Sequence, residues 1–311
     1  MAKVLLLNPT QTGNTGYYIP YALLFLQSTL EARGHTVLIS DFQMGGQEIQ
    51  RFKGLLLHKP DILGISLFCG PGVELALEAA SLCRRLSPQT TIIWGGILPS
   101  ISPELILRDA EADYVVRYEG DEALPGLIEA LERGDRHPTI PNIAYLIYDE
   151  IQLQPRGPLL DMSKLIPIRF DDVNNERYII KNSPIGSRAL SIFTSKGCDY
   201  KCSFCYNMAY NRREWRCFPL QMVLDTVDKL IKMFNVDALY IFDDDFFIDF
   251  NRAIEIFEGV KKRGHNIKWW AEIRADQVLS LSISELNAYY DLGLREVYIS
   301  PESGSNRILD I

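Results

Sequence analysis

The sequence predicts an α/β protein in two parts, a doubly wound domain followed by a partial β/α barrel. Three observations carry that expectation. Short apolar, β-rich runs alternate with helix-length amphipathic stretches along most of the chain, the pattern of parallel sheets covered by helices. At 311 residues, 47% hydrophobic and 23% charged, the chain is long enough to bury two cores. A stretch rich in Pro, Asp and Asn, 155–187, interrupts the alternation and separates two series of elements.

In the first series Val4 to Leu7 reads as a strand, followed by a loop of turn-forming residues from Asn8 to Gly16. Ile19 to Arg33 reads as a helix that stops at Gly34, where a left-handed cap is easiest for glycine. Thr36 to Ser40, Ile62 to Leu67, Thr91 to Trp94 and Tyr114 to Arg117 follow as strands two to five. Helices are predicted over Val73 to Leu86, Pro103 to Asp109 and Glu122 to Arg133. The result is a five-stranded, Rossmann-like doubly wound domain over residues 1–141. Residues 142–187 are expected to form a hairpin, turning at the acidic pair Asp149-Glu150, and then a linker.

Ligands of open α/β sheets sit beyond the carboxyl ends of the strands. Here those loops are Asn8 to Tyr18, Phe68 to Gly72, Gly95 to Ser100 and Tyr118 to Asp121. They are rich in glycine and proline, which lets backbone approach a large flat ligand, although tight turns alone would also explain the glycines. No G-x-G-x-x-G opens a helix after the first strand, so a dinucleotide is the weaker expectation.

The second series begins with an apolar strand, Ala189 to Thr194, that runs into Ser195-Lys196-Gly197-Cys198-Asp199-Tyr200-Lys201-Cys202-Ser203-Phe204-Cys205. Three cysteines at C-x3-C-x2-C offer three thiolates without a fourth at matching spacing. Thiolates suit iron-sulfur clusters and zinc, and closed structural sites take four protein ligands. Three suggest a reactive centre with one open position. The alternatives are a reduced cysteine cluster in a packed turn, or zinc completed by Cys217. Beyond this loop, Leu220 to Phe234, Asn251 to Arg263 and Ser284 to Leu292 read as helices. Ala238 to Phe242, Ile267 to Ile273 and Glu296 to Ser300 read as strands, so residues 188–311 form four β/α units with right-handed crossovers and a curved parallel sheet.

Three carboxylates, Asp243-Asp244-Asp245, follow the strand Ala238 to Phe242. Like charges packed there persist only if solvated or facing a cation. Arg274 ends the next strand, within reach of an external carboxylate or of Glu272 or Asp276. Pro301-Glu302-Ser303-Gly304-Ser305 ends the last one, where a carboxylate accepts hydroxyl hydrogen bonds well and a serine can also cap a helix.

The cysteine spacing, with Phe204 just before the third cysteine, resembles the signature of the radical S-adenosylmethionine (SAM) superfamily. The resemblance implies that Cys198, Cys202 and Cys205 hold three irons of a 4Fe-4S cluster whose fourth iron chelates SAM. One electron from the cluster then cleaves SAM to methionine and a 5'-deoxyadenosyl radical. It also implies SAM contacts at Phe204, Asp243, Asp244, Arg274, Glu302 and Ser303, where the Asp-Asp-x-Phe run departs from the Gly-Gly-Glu form of other members. Asn8-Pro9, the Tyr18-to-His35 helix entry, Trp94 to Ser100 and Arg117 to Glu122 look like the cobalamin-binding domain that precedes many radical SAM domains. That likeness implies cobalamin contacts at Asn8, Ser66, Gly70, Gly95, Gly96, Glu119 and Gly120. The Asp-x-His-x-x-Gly signature is absent, and none of His35, His58, His137 and His265 sits in such a motif. Cobalamin held without histidine ligation, or a domain that keeps the fold without the cofactor, are the two readings.

Together these features predict a cobalamin-linked radical SAM enzyme, either a methyltransferase acting on an unactivated carbon or phosphorus centre or a radical oxidoreductase or cyclase. A corrinoid-binding or zinc-stabilised protein without catalysis is the alternative from another class. The implied partners are a small-molecule substrate and an electron donor such as flavodoxin or ferredoxin. A net charge of -8 argues against a nucleic-acid partner. Six cysteines, three clustered and three scattered, do not read as a secreted disulfide framework. With no apolar run near the roughly 20 residues needed to cross a bilayer, the expected location is the cytoplasm. Family barrels carry six β/α units, so four units ending at Ile311 read as a barrel cut short.

Overall fold

The computed structural model describes residues 1–10, 18–70, 72–170, 173 and 176–309. Its contacts divide the chain into two compact units. The first consists mainly of Pro20–Arg169, the N-terminal strand and a short later segment, Ser203–Arg212; the second consists mainly of Phe170–Cys202 and Arg213–Ile311.

The first unit is built on seven strands: β1 (Lys3–Asn8), β2 (Thr36–Asp41), β3 (Ile62–Ser66), β4 (Thr91–Gly95), β5 (Tyr114–Val116), β6 (Ile143–Ile147) and β7 (Glu150–Leu153). They lie in the order β2-β1-β3-β4-β5-β6-β7. The first five are mutually parallel. Alternate residues of β1 serve opposite faces, as the two-residue period of a strand requires. Leu5 and Leu7 pack with Phe52, Leu56, Ala76 and Cys83 on one side, and Val4 and Leu6 pack with Leu23, Leu30, Leu127 and Ile128 on the other. Helices therefore cover both faces, which is the doubly wound arrangement.

Three features differ from the sequence expectation. The hairpin does not stand in a linker: β6 pairs antiparallel with β5 and β7 with β6, so the sheet has seven strands, not five. The pairing covers an edge of β5 that would otherwise present open backbone groups. The hairpin turn also lies one residue early. Tyr148 and Asp149 have φ of 46° and 69°, the pair of positive values a two-residue turn of this hand demands, and Glu150 already pairs with Ile147. A further helix, Gly46–Leu57, joins β2 to β3 and buries Phe52 and Leu56. With only these two side chains fully buried and glycines at 46 and 54, its period is faint in the sequence.

In the second unit, β8 (Ile180–Lys181), β9 (Arg188–Ile192), β10 (Ser195–Lys196), β11 (Arg216–Cys217), β12 (Ala238–Ile241), β13 (Lys268–Arg274) and β14 (Leu294–Ser300) are the strands. The main sheet runs β14-β13-β12-β9-β8. Its four long strands are parallel, as expected, and short β8 adds antiparallel to β9. Asp237 sets the β9–β12 register from one end, accepting from the Ser187 N–H (3.0 Å), the Ser187 hydroxyl (2.8 Å) and the Arg188 N–H (2.8 Å). Behind the sheet, Phe257 stacks on Trp269 at 4.0 Å between ring centroids, with Phe246, Phe247 and Tyr289 around them. Helices Leu220–Phe234, Phe250–Lys262 and Ile283–Asp291 follow their strands. Among the described residues, no helix is long and apolar enough to cross a membrane.

Gly96 shows how tightly the strand ends of the first unit are packed. Its φ is +95°, and a Cβ there would stand 2.4 Å from the Leu67 carbonyl oxygen and 2.9 Å from the Leu67 nitrogen. Gly96→Ala is expected to destabilise the first unit by at least about 2 kcal/mol, because strain and backbone overlap act together. Gly70→Ala, also at positive φ but with nothing within 4 Å, should lose less. Urea unfolding of the two variants checks the order, and equal losses would contradict the packing argument.

Candidate functional site

The second unit gathers polar side chains at the carboxyl ends of β9, β12 and β13, where parallel folds place their sites. β9 leads through Thr194 into the β10–β11 ladder, which brackets the segment carrying all three cysteines. Gly197, with φ of +82°, makes the bend before Cys198 that a residue with a Cβ would resist. Its N–H donates to Asp244 Oδ2 at 2.9 Å. Asp243 is 2% exposed and accepts from the Thr194 N–H, the Thr194 hydroxyl and the Ser195 hydroxyl, each at 2.6 Å. Burial pushes its carboxyl up, while those donors and the nearby Arg252 charge pull it down.

Asp245 is buried too. It caps the turn at Phe247 and takes both oxygens to Gln277 Nε2, at 3.2 and 2.9 Å. Gln277 in turn accepts from the Arg274 N–H at 2.9 Å, so the ends of β12 and β13 are joined through one amide. Glu272, on β13, is half-buried; burial and then the Asp244 charge raise its carboxyl.

Arg274 does not present a free fork. Its Nε and Nη2 hold Asp276 at 3.0 and 3.1 Å, the internal ion pair that the sequence offered beside an external carboxylate. Nη1 points to Cys202 Sγ at 3.3 Å, and the guanidinium lies 3.8 Å from the Tyr200 ring centroid. At Cys198 burial pushes the thiol up to about 12. Glu302 is exposed with φ of 59°, and Ser303 accepts from the Ser305 N–H at 3.1 Å.

The unit boundary falls between Cys202 and Ser203. Cys205 and Phe204, the latter 71% exposed, therefore belong to the segment grouped with the first unit. That segment is clamped there by residues no motif announces. Arg156 donates to the Ala209 carbonyl at 2.8 Å and to that of Tyr210, and it covers the Tyr118 ring at 3.8 Å. The Tyr210 hydroxyl donates to the Tyr118 carbonyl at 2.6 Å, and Arg212 donates to the Gly157 carbonyl at 2.6 Å.

In the first unit Asn8, Ser66, Gly70, Gly95, Gly96, Glu119 and Gly120 all fall at or just beyond the carboxyl ends of β1, β3, β4 and β5, which are neighbours in the sheet. Asn8 ties β1 to β2 through Asp41 at 2.9 Å. Glu119 accepts from the Leu160 N–H at 2.7 Å. The Ser100 hydroxyl joins two of the loops, donating to the Gly96 carbonyl at 2.5 Å and accepting from the Tyr118 N–H at 2.6 Å. A Cβ on Gly95 would meet ordinary contact distances, so packing alone does not require that glycine. Residues 11–17 of the first loop lie outside the described residues.

Two family models match this chain: a B12 binding domain over residues 14–128 and the radical SAM superfamily over residues 192–311. The chain carries a B12-binding domain followed by a radical SAM domain. Over its whole length it is 28% identical to an uncharacterized methyltransferase, PH0819, of Pyrococcus horikoshii, of which it covers 67%. It is 27% identical to the 4'-phospho-dehydrooxetanocin synthase of Priestia megaterium, matching over 88% of this chain and 39% of that protein. The fold superposes on the cobalamin-dependent SAM radical enzyme OxsB, solved with aqua-cobalamin and SAM bound, with a TM-score of 0.81 and 25% identity; the match covers all of this chain and 45% of that one. The chain thus spans from about two fifths to two thirds of the length of these relatives.

The radical SAM domain brings a 4Fe-4S cluster and SAM, and the B12 domain brings cobalamin. The donor set fits: three cysteines with no competing disulfide, one of them beside a guanidinium. Among the described residues, no group of three or more His, Cys, Asp or Glu side chains is arranged to hold a metal ion as it stands.

Burial raises the Asp245 carboxyl to about 6, against an ordinary value near 4. The folded chain then binds the proton more tightly than the unfolded chain. The stability that Asp245 contributes to the second unit is fully present below about pH 4 and is lost as pH rises through about 6, by up to about 2–3 kcal/mol. Asp245→Asn is expected to flatten that slope. Thermal melts between pH 4 and 7 compare the two proteins, and parallel profiles would refute the assignment.

Proposed function

We propose that this protein is a cobalamin-dependent radical SAM methyltransferase acting on an unactivated centre of a small molecule. The single observation that carries the reading is the pairing, in one chain, of a three-cysteine loop at a parallel-strand end with a doubly wound B12-binding domain. The methyltransferase name of the P. horikoshii relative supports methyl transfer over ring formation. When bound, the cofactors supply one-electron cleavage of SAM and a transferable methyl group.

The chain's own residues then bind, orient and shield. Cys198, Cys202 and Cys205 ligate the cluster, and Arg274 holds positive charge at the Cys202 sulfur. Asp244, partly exposed beside the cysteine loop, suits the SAM amino group. Glu302 and Ser303 suit ribose hydroxyls, and Phe204 offers an exposed ring beside the third cysteine. Asn8, Ser66, Gly70, Gly95, Gly96, Glu119 and Gly120 form the rim that receives cobalamin without a histidine ligand. Reduction calls for a donor such as flavodoxin or ferredoxin, and six free cysteines support a reducing, cytoplasmic setting.

The test is anaerobic reconstitution with iron and sulfide, followed by incubation with reductant and SAM. About four irons and four sulfides per chain, 5'-deoxyadenosine release, and loss of both in Cys198→Ala are the expected results. A retained corrinoid absorbance supports the first unit's role. Tight zinc without sulfide would sink the reading, and a cluster with no corrinoid after reconstitution would remove its cobalamin part.

A further inference from the structure

We propose that Asp243 is a positioning residue for the cysteine loop and not a SAM contact, and that it acts as one unit with Thr194, Ser195 and Arg252. The inference rests on the functional reading above and deepens it.

Geometry sets Asp243 apart from its neighbour. Both of its oxygens are engaged: Oδ1 by the Thr194 N–H, and Oδ2 by the Thr194 and Ser195 hydroxyls, all at 2.6 Å. Reaching a ligand would mean breaking these bonds from a position 2% exposed. Arg252, on the helix Phe250–Lys262, is also buried. Its Nη1 donates to the Thr194 hydroxyl at 3.0 Å, and its Nη2 to the carbonyls of Thr194 (2.9 Å) and Phe218 (3.2 Å). A guanidinium cannot accept, so the Thr194 hydroxyl must accept from Arg252 and turn its own proton to Asp243. One threonine thus relays between a buried cation and a buried anion.

Apart from the Arg252 bond to Phe218, this network ends at the two residues that open the cysteine loop. Thr194 and Ser195 stand four and three positions before Cys198, and the Phe218 N–H closes on the Thr194 carbonyl at 2.9 Å. A buried charge pair is a poor source of net stability, but removing one partner is severe because the other is left uncompensated. What such a pair does well is to hold a loop in one place, the role that outer-shell partners play for metal ligands. Asp244 is the contrasting case: partly exposed, with the Gly197 N–H on one oxygen.

The test uses the whole chain, reconstituted anaerobically, with three variants: Asp243→Asn, Thr194→Val and Asp244→Asn. The readouts are the rate of iron release to a chelator, the electron paramagnetic resonance spectrum of the reduced cluster before SAM, and the SAM Kd from the change in that spectrum. Asp243→Asn and Thr194→Val are expected to release iron about tenfold faster and to shift the SAM-free spectrum, with the SAM Kd of intact clusters within about twofold of wild type. Asp244→Asn should show the reverse. Thr194→Val keeps the side-chain volume and carries the test if Asp243→Asn does not fold. Wild-type iron release and spectrum in both, with SAM binding weakened about tenfold in Asp243→Asn, would overturn the assignment alone. A wild-type protein that takes up no cluster would overturn the functional reading and this assignment with it.

Discussion

The second unit depends on a carboxylate that has been taken out of water. Asp243 lies two residues beyond β12, and its three donors all come from Thr194 and Ser195, just after β9. An ionised group in that position is tolerable only when fully hydrogen-bonded, so the two strand ends have little freedom to separate. The same requirement carries outward to Arg252 on the following helix and to Phe218 at the foot of β11. Asp237 performs a matching task at the opposite end of the same strand pair. The parallel ladder between β9 and β12 is therefore held at both ends by side chains, and the cysteine loop begins where the second of these restraints stops.

The three consecutive aspartates show how one charge run is divided by burial. Asp243 faces inward to the cysteine loop, Asp244 meets the backbone of Gly197, and Asp245 turns to Gln277 and the end of β13. Successive positions of an extended backbone point to opposite sides, so neighbours of identical chemistry acquire different surroundings. Repulsion within the run is relieved by hydrogen-bond donors from three separate segments, at Thr194 to Gly197, Phe247 and Gln277.

In the first unit the limiting constraint is close approach of backbone. The loops after β3, β4 and β5 are joined through Ser100 and by the close approach of Gly96 to Leu67. The clamp formed by Arg156, Tyr118 and Tyr210 uses carbonyl acceptors and an aromatic face. Its parts are scattered over nearly a hundred residues of sequence, and none belongs to a pattern that spacing reveals.

Hydrophobic period and glycine placement in the sequence were enough to establish ten or more elements, because strand alternation and helical amphipathicity are local. The cysteine triad was legible for the same reason: its three thiols lie within eight residues. Gly46–Leu57 and the sheet position of the hairpin were not, since a weak period and an edge pairing depend on what packs beside them. The roles of Asp243, Arg274 and Arg252 belong to tertiary structure alone. Sequence determined that carboxylates and arginines stand near strand ends; burial and partners from distant segments decided that Asp243 turns inward, that Asp276 fills the Arg274 fork, and that Arg252 is tied to the cysteine loop at all.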